Sequence, residues 1–146
     1  MAVERILVGT DFSEPARAAT DWAFALASAL GAKVTLAHVF DLPIVGFPDA
    51  SLVVDAKTAA RLSDEAQRSL DAELTRVRGA VPVDGLLRQG DVRELIPQMA
   101  AQTGAGLVVV GSHGRRGIAR ALLGSVAESL VRTSTIPVAV VRPSAT

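Results

Sequence analysis

Cysteine is absent from the 146 residues, so no disulfide can form and the fold must rest on its core. A chain of this length buries roughly 68–70% of the surface its unfolded form exposes, which suits one domain. A single domain over residues 1–146 is the expected organisation. An excess of either charge is also missing, with 15 Lys and Arg against 15 Asp and Glu. General nucleic-acid binders carry a basic excess, and single-strand platforms carry aromatics for stacking, whereas this chain is only 3% aromatic. Nucleic acid is therefore not an expected partner. The longest run of low polarity, residues 23–30, falls far short of the ~20 residues of a membrane helix. The start, with Glu4 before a short apolar run, is unlike a secretory signal. The expectation is a cytoplasmic protein with no membrane partner.

What is present alternates. Arg5–Gly9 reads as a buried strand, and Glu14–Leu30 as a helix with Ser13 as N-cap, Pro15 in its first turn and Gly31 as its stop. Its apolar residues Ala19, Trp22, Ala23, Leu26, Ala27 and Leu30 recur at three- and four-residue spacing. A second strand covers residues 33–39. Residues 41–50, with Pro43, Gly46 and Pro48, form the candidate lid loop. Residues 51–78 read as a long helix whose outer face, including Glu73 and Arg76, carries charges of both signs and is expected to be solvated. Residues 82–87 are a third strand, and Asp91 caps a helix to about Gln102. Pro97 inside it predicts a kink or a later start. Residues 106–110, 125–132 and 136–141 complete a strand, a helix and a fifth strand. Strands of nearly continuous Val, Ile and Leu alternating with helices predict an open, doubly wound α/β fold with a parallel sheet covered on both faces.

The strongest motif follows the fourth strand. From Gly111 to Ser125 the chain has Gly111, Gly114, Gly117 and Gly124, three arginines (Arg115, Arg116, Arg120) and no acidic residue. Glycines bring backbone N–H groups close to an oxyanion, and the following helix adds its unpaired N–H groups and the positive end of its dipole. The expected ligand is a phosphate, and the local positive charge favours a nucleotide. Ligands of such sheets bind at the strands' carboxyl ends, which places the Thr10–Asp11 turn in the same cleft.

Several of these residues carry two readings. Ser125-x-x-Glu128 is a capping box, yet the glycine spacing upstream favours phosphate contact by Ser125. Asp11 can bond turn amides or a nucleotide. His113 lacks partners at metal-ligand spacing and reads as a solvated loop residue; His38 reads as packed or cleft-lining. Arg115 is the first choice for a phosphate contact. No catalytic and no metal-ligating residue is identified.

The spacing Gly111-x2-Gly114-x9-Gly124-Ser125, with Val8-Gly-Thr-Asp11-Phe-Ser13 at the first strand and Ile136-Pro-Val at the last, resembles the ATP-binding branch of the universal stress proteins. The resemblance implies a five-stranded sheet of order 3-2-1-4-5 and a homodimer. It implies ATP, with Mg2+ held through the phosphates, as ligand. Asp11 would approach the ribose or adenine edge and Val39 the adenine through its backbone. Gly111, Gly114, Gly124, Ser125 and Val126 would line the phosphates. Arg116 departs from the small or hydroxyl residue many members carry there.

The sequence holds no Gly-x4-Gly-Lys-Ser/Thr, and Thr10-Asp-Phe-Ser follows the first strand where a dehydrogenase has its glycines. The expected function is a regulatory module acting through its ATP-bound state, with at most slow hydrolysis. The alternative is a nucleotide-independent interaction protein. Either dimerises through the exposed last strand, from Ile136 to Arg142, since an unpaired apolar edge must be covered or paired. A hydrolase would have only Asp11 and His113 to use.

Overall fold

Each apolar run expected to form a strand does so in the computed structural model, which describes residues 2–42, 55–113 and 123–143. Strands β1 (Arg5–Gly9), β2 (Lys33–Phe40), β3 (Val83–Gln89), β4 (Leu107–Gly111) and β5 (Val138–Val141) form one sheet of order β3-β2-β1-β4-β5. Every pairing is parallel. Helices α1 (Glu14–Leu30) and α2 (Ala56–Val77) cover one face; α3 (Val92–Thr103) and α4 (Ser125–Thr133) cover the other. The two-residue period of a strand divides the core between them. Ile6 and Val8 of β1 pack with Ala19, Ala23 and Leu70, whereas Leu7 between them packs with Ile96, Met99 and Leu130. Among the described residues no helix is long and apolar enough to cross a membrane.

The caps explain most helix boundaries. Ser13 Oγ accepts from the Ala16 amide at 3.3 Å, and Gly31 ends α1 at φ 68°, a conformation glycine adopts without a Cβ penalty. Asp55 Oδ1 accepts from the Thr58 amide at 2.7 Å, and Asp91 Oδ1 from the Arg93 amide at 2.9 Å. These backbone hydrogen bonds hold both carboxyls below their ordinary value.

Three expectations need correction. Helix α3 does not start late: it begins at Val92 and continues through Pro97. Its first turn is secured ahead of the proline, because the Asp91 carbonyl accepts from Leu95 N–H at 2.9 Å. The buried stripe of α1 is made of small residues, Ala16, Ala19, Thr20, Ala23 and Ala27, while Trp22 and Leu30 stay exposed. Trp22 stands about 100° around the helix from Ala23 and so leaves the face on which α1 lies against the sheet. Last, the charged face of α2 is not all solvated. Glu73 is buried, paired with Arg76 and, at 3.4 Å, with Arg17 of α1.

Candidate functional site

The strand order reverses between β1 and β4, because the first two crossovers run to one side of β1 and the last two to the other. At such a switch point the loops leaving the strands part and open a crevice. A cleft of about 370 Å³ lies there, within the range of small-molecule sites. Gly9, Thr10 and Asp11 border it from the end of β1, Ala37 and Val39 from β2, and Gly111, Ser112 and His113 from the end of β4. Val92 and Ile96 border it from α3, and Gly124, Ser125, Val126 and Ala127 from the start of α4. The expected site residues Thr10, Asp11, Val39, Gly111, Gly124, Ser125 and Val126 thus meet around one space. Gly114 and Arg115 lie outside the described residues, as do Arg116, Gly117, Arg120 and residues 43–50 of the expected lid.

On the β1 side the turn is closely fixed. Thr10 N–H donates to the Ala37 carbonyl at 2.9 Å, and Phe12 N–H donates to Thr10 Oγ1 at 3.0 Å. Asp11 Oδ1 accepts from both the amide and the hydroxyl of Ser13. Asp11 therefore bonds turn groups and borders the cleft at once, so the two sequence readings are not exclusive. Phe12 has φ 66°, a left-handed conformation that costs a side-chain-bearing residue about 1–2 kcal/mol. Its ring lies against His38 with centroids 4.5 Å apart.

On the β4 side Gly111 serves packing. A Cβ built there would sit 2.9 Å from the carbonyl carbon and oxygen of Pro15. Glycine at this position lets the first turn of α1 lie against the strand end. Ser112 N–H donates to the Val141 carbonyl at 3.0 Å, and Gly124 N–H donates to the Ser112 carbonyl at 2.7 Å. The second bond draws α4 up against β4 and sets where the helix begins. Gly124, not Ser125, is the N-cap. The expected capping box does not form: Glu128 N–H bonds the Gly124 carbonyl, and the Glu128 carboxylate pairs with Arg132.

Two consequences follow for the cleft. Helix α4 enters it without a side-chain cap, because glycine offers no oxygen to the N–H groups of Val126 and Ala127. In addition, Ser112 Oγ and His113 Nδ1 are buried with no hydrogen-bond partner among the described residues. A buried hydroxyl left unpaired costs about 1–3 kcal/mol, so both atoms suit a polar ligand. His113, expected in solvent, is instead partly buried on the cleft wall. Sequence reasoning also missed Val92 and Ile96. They stand on the helix that crosses from β3 to β4, and only the topology brings them to the end of β1. Among the described residues no cluster of His, Cys, Asp and Glu is arranged to hold a metal ion.

Comparison with known proteins agrees with this architecture. The profile of the Universal stress protein family matches residues 2–142. A universal stress protein of Mycolicibacterium smegmatis is 37% identical over 145 residues, a match that takes in 94% of this chain and 45% of that protein. The chain spans about half the length of the mycobacterial relatives it matches. A universal stress protein of Methanocaldococcus jannaschii is 28% identical over 95% of this chain and 94% of its own. The solved UspA of Lactobacillus plantarum superimposes with a TM-score of 0.81, at 26% identity over 97% of this chain and 99% of that one. A universal stress protein solved in complex with cAMP gives 0.63, at 28% identity over 99% and 100% of the two chains. With the sheet order, the switch-point cleft and a family match over nearly its whole length, the chain belongs to the universal stress protein family.

Proposed function

We propose that the cleft binds an adenine nucleotide, with ATP the leading ligand, and that the bound state rather than rapid turnover is the protein's output. The observation that carries this reading is the start of α4. Its first residues border the cleft without a side-chain cap, beside Ser112 Oγ and His113 Nδ1, which are buried with no partner among the described residues. A phosphate completes such a set, because helix N-termini favour anions. Ser125 and Val126 would hold the phosphates, Gly111 and Gly124 would shape their seat, and Thr10 and Asp11 would face the ribose. Val39, with Val92 and Ile96, would give the base an apolar wall. Gly114 and Arg115 would add a close backbone approach and a charge. Mg2+ would be carried by the phosphates. Asp11 Oδ1 is already bonded by Ser13, which supports binding over nucleophile activation. The likeness to a protein solved with cAMP supports an adenine ligand and makes cAMP the competitor to compare. The cytoplasm, where ATP is abundant and no disulfide is needed, is the proposed location.

Thermal unfolding with Mg-ATP and with cAMP tests this. A ligand at 100 times its Kd stabilises by about 2.7 kcal/mol. Val92→Trp, which fills the cleft from the first position of α3, should abolish the shift while the unliganded protein still folds. No shift in the wild type at millimolar concentration of either nucleotide would refute the reading.

A homodimer through the last strand is the second element of the proposal. Strand β5 is an edge of the sheet, and exposed apolar side chains flank it on both faces. Val131 of α4 borders a hollow with Ile136, Pro137 and Val138. On α1, Arg17 and Asp21 reach toward α2, so Trp22 stands on the flank nearer β5. Antiparallel pairing of residues from Ile136 to Arg142 with a second copy would cover all of these. Light scattering should give twice the chain mass at micromolar concentration, and Trp22→Ser with Val131→Ser should shift it toward one. A wild-type mass of one chain would remove the dimer.

A further inference from the structure

We propose that His38 is a positioning residue for the cleft: acting from the opposite face of the sheet, it holds the turn of residues 10–12 in the shape that presents Thr10 and Asp11. The alternation of β2 is the first argument. Ala37 and Val39 border the cleft, and His38 between them does not. It shares its parity with Val34 and Leu36, which belong to the core under α1 and α2. There it borders a second hollow with Phe12, Phe40, Leu62, Glu65 and Ser69, with Asp11 at the shared rim. His38 thus reaches the turn from behind.

The second argument is the bond it makes. His38 Nδ1 stands 2.7 Å from the Thr10 carbonyl oxygen. A carbonyl only accepts, so Nδ1 carries the proton and donates. The register between β1 and β2 ends at Gly9↔Ala37, one residue before Thr10, and α1 starts only at Glu14. Thr10 is then held by its amide on Ala37, by its hydroxyl under the Phe12 amide, and by its carbonyl under His38. The third argument is conformational. Phe12 keeps φ 66° with its ring against the same imidazole, 4.5 Å between centroids. A side-chain-bearing residue stays in that region only when its surroundings over-determine it. His38 supplies two of those constraints, the hydrogen bond and the stack.

Two variants separate them. His38→Asn places an amide N–H where Nδ1 stands and removes the ring; His38→Phe keeps a ring and removes the donor. The binding arm rests on the nucleotide reading, and a second arm does not: amide hydrogen exchange of Phe12 and Ser13 in the unliganded protein. His38→Phe should weaken ATP about tenfold and speed exchange at both amides, since it strands a buried carbonyl. His38→Asn, which loses only the stack, should stay within about threefold of wild type and keep more of their protection than His38→Phe does. The role is overturned if His38→Phe matches wild type in exchange, or if His38→Asn falls as far as His38→Phe in either arm. If the wild type binds no ATP, the nucleotide reading fails, and the exchange arm alone decides for or against His38. Should His38→Phe not fold, His38→Leu, which also lacks the donor, replaces it in both arms.

Discussion

Gly111→Ala is expected to destabilise the protein by about 3 kcal/mol and to lower its Tm by roughly 10 °C. The added methyl would lie 2.9 Å from the carbonyl carbon and oxygen of Pro15 and 3.1 Å from the Ala16 nitrogen. All are backbone atoms of the first turn of α1, so relief requires moving the helix or the strand. Reduced freedom of the unfolded chain offsets only about 0.4–1 kcal/mol of this. Gly9→Ala is the control. Its nearest atoms are side-chain atoms, Val110 Cγ1 at 3.2 Å and Ile96 Cδ1 at 3.3 Å, which need to give by only a few tenths of an ångström where Gly111 meets backbone at 2.9 Å, so its cost should be about 1 kcal/mol. Calorimetric melting of the two variants decides; equal losses would show that close approach of α1 to β4 is not what requires glycine at 111.

That contrast bears on what could be read in advance. The glycine spacing singles out this stretch as a phosphate seat, but for Gly111 the structure gives a packing reason, in a helix nearly a hundred residues earlier in the chain. The bounds of β1 and α1 were legible because their signals are local: a Val-rich run, a Ser13 cap, Pro15, Gly31. The order of the strands comes from the family likeness alone, since alternating strands and helices do not say which strands are neighbours. The N-cap of α4 lies one residue before the Ser125 of the capping-box pattern because the bond that sets it, Gly124 N–H to the Ser112 carbonyl, joins distant positions. A capping-box pattern cannot register that. Val92 and Ile96 were invisible for the same reason: periodicity marks them as core-facing without saying which strand end they will meet. Trp22 fits a helical apolar spacing, yet the alanines beside it make the closer contact with the sheet.

Glu73 shows the same limit with an energetic consequence. Helical spacing puts it among charged neighbours, yet its side chain is only 2% exposed, between Arg76 on its own helix and Arg17 on α1. Burial works against the Arg76 cation, but hydrogen bonds to Glu73 and Asp21 outweigh that and hold its pKa above the ordinary arginine value. The two ends of this network are therefore unequal. Removing Arg76 leaves a carboxylate buried with Arg17 at 3.4 Å as its remaining cation, whereas removing Glu73 leaves two partly exposed guanidiniums that water can serve. Arg76→Met should cost about 3 kcal/mol, the lower end for breaking a buried pair. Glu73→Leu should fall within about 1 kcal/mol of wild type, because apolar replacement of a buried ion is often neutral. The double variant should then be more stable than Arg76→Met alone. Urea unfolding of the three variants measures this, and a Glu73→Leu loss as large as that of Arg76→Met would show that the ion pair itself, rather than the avoidance of an uncompensated buried charge, joins α1 to α2.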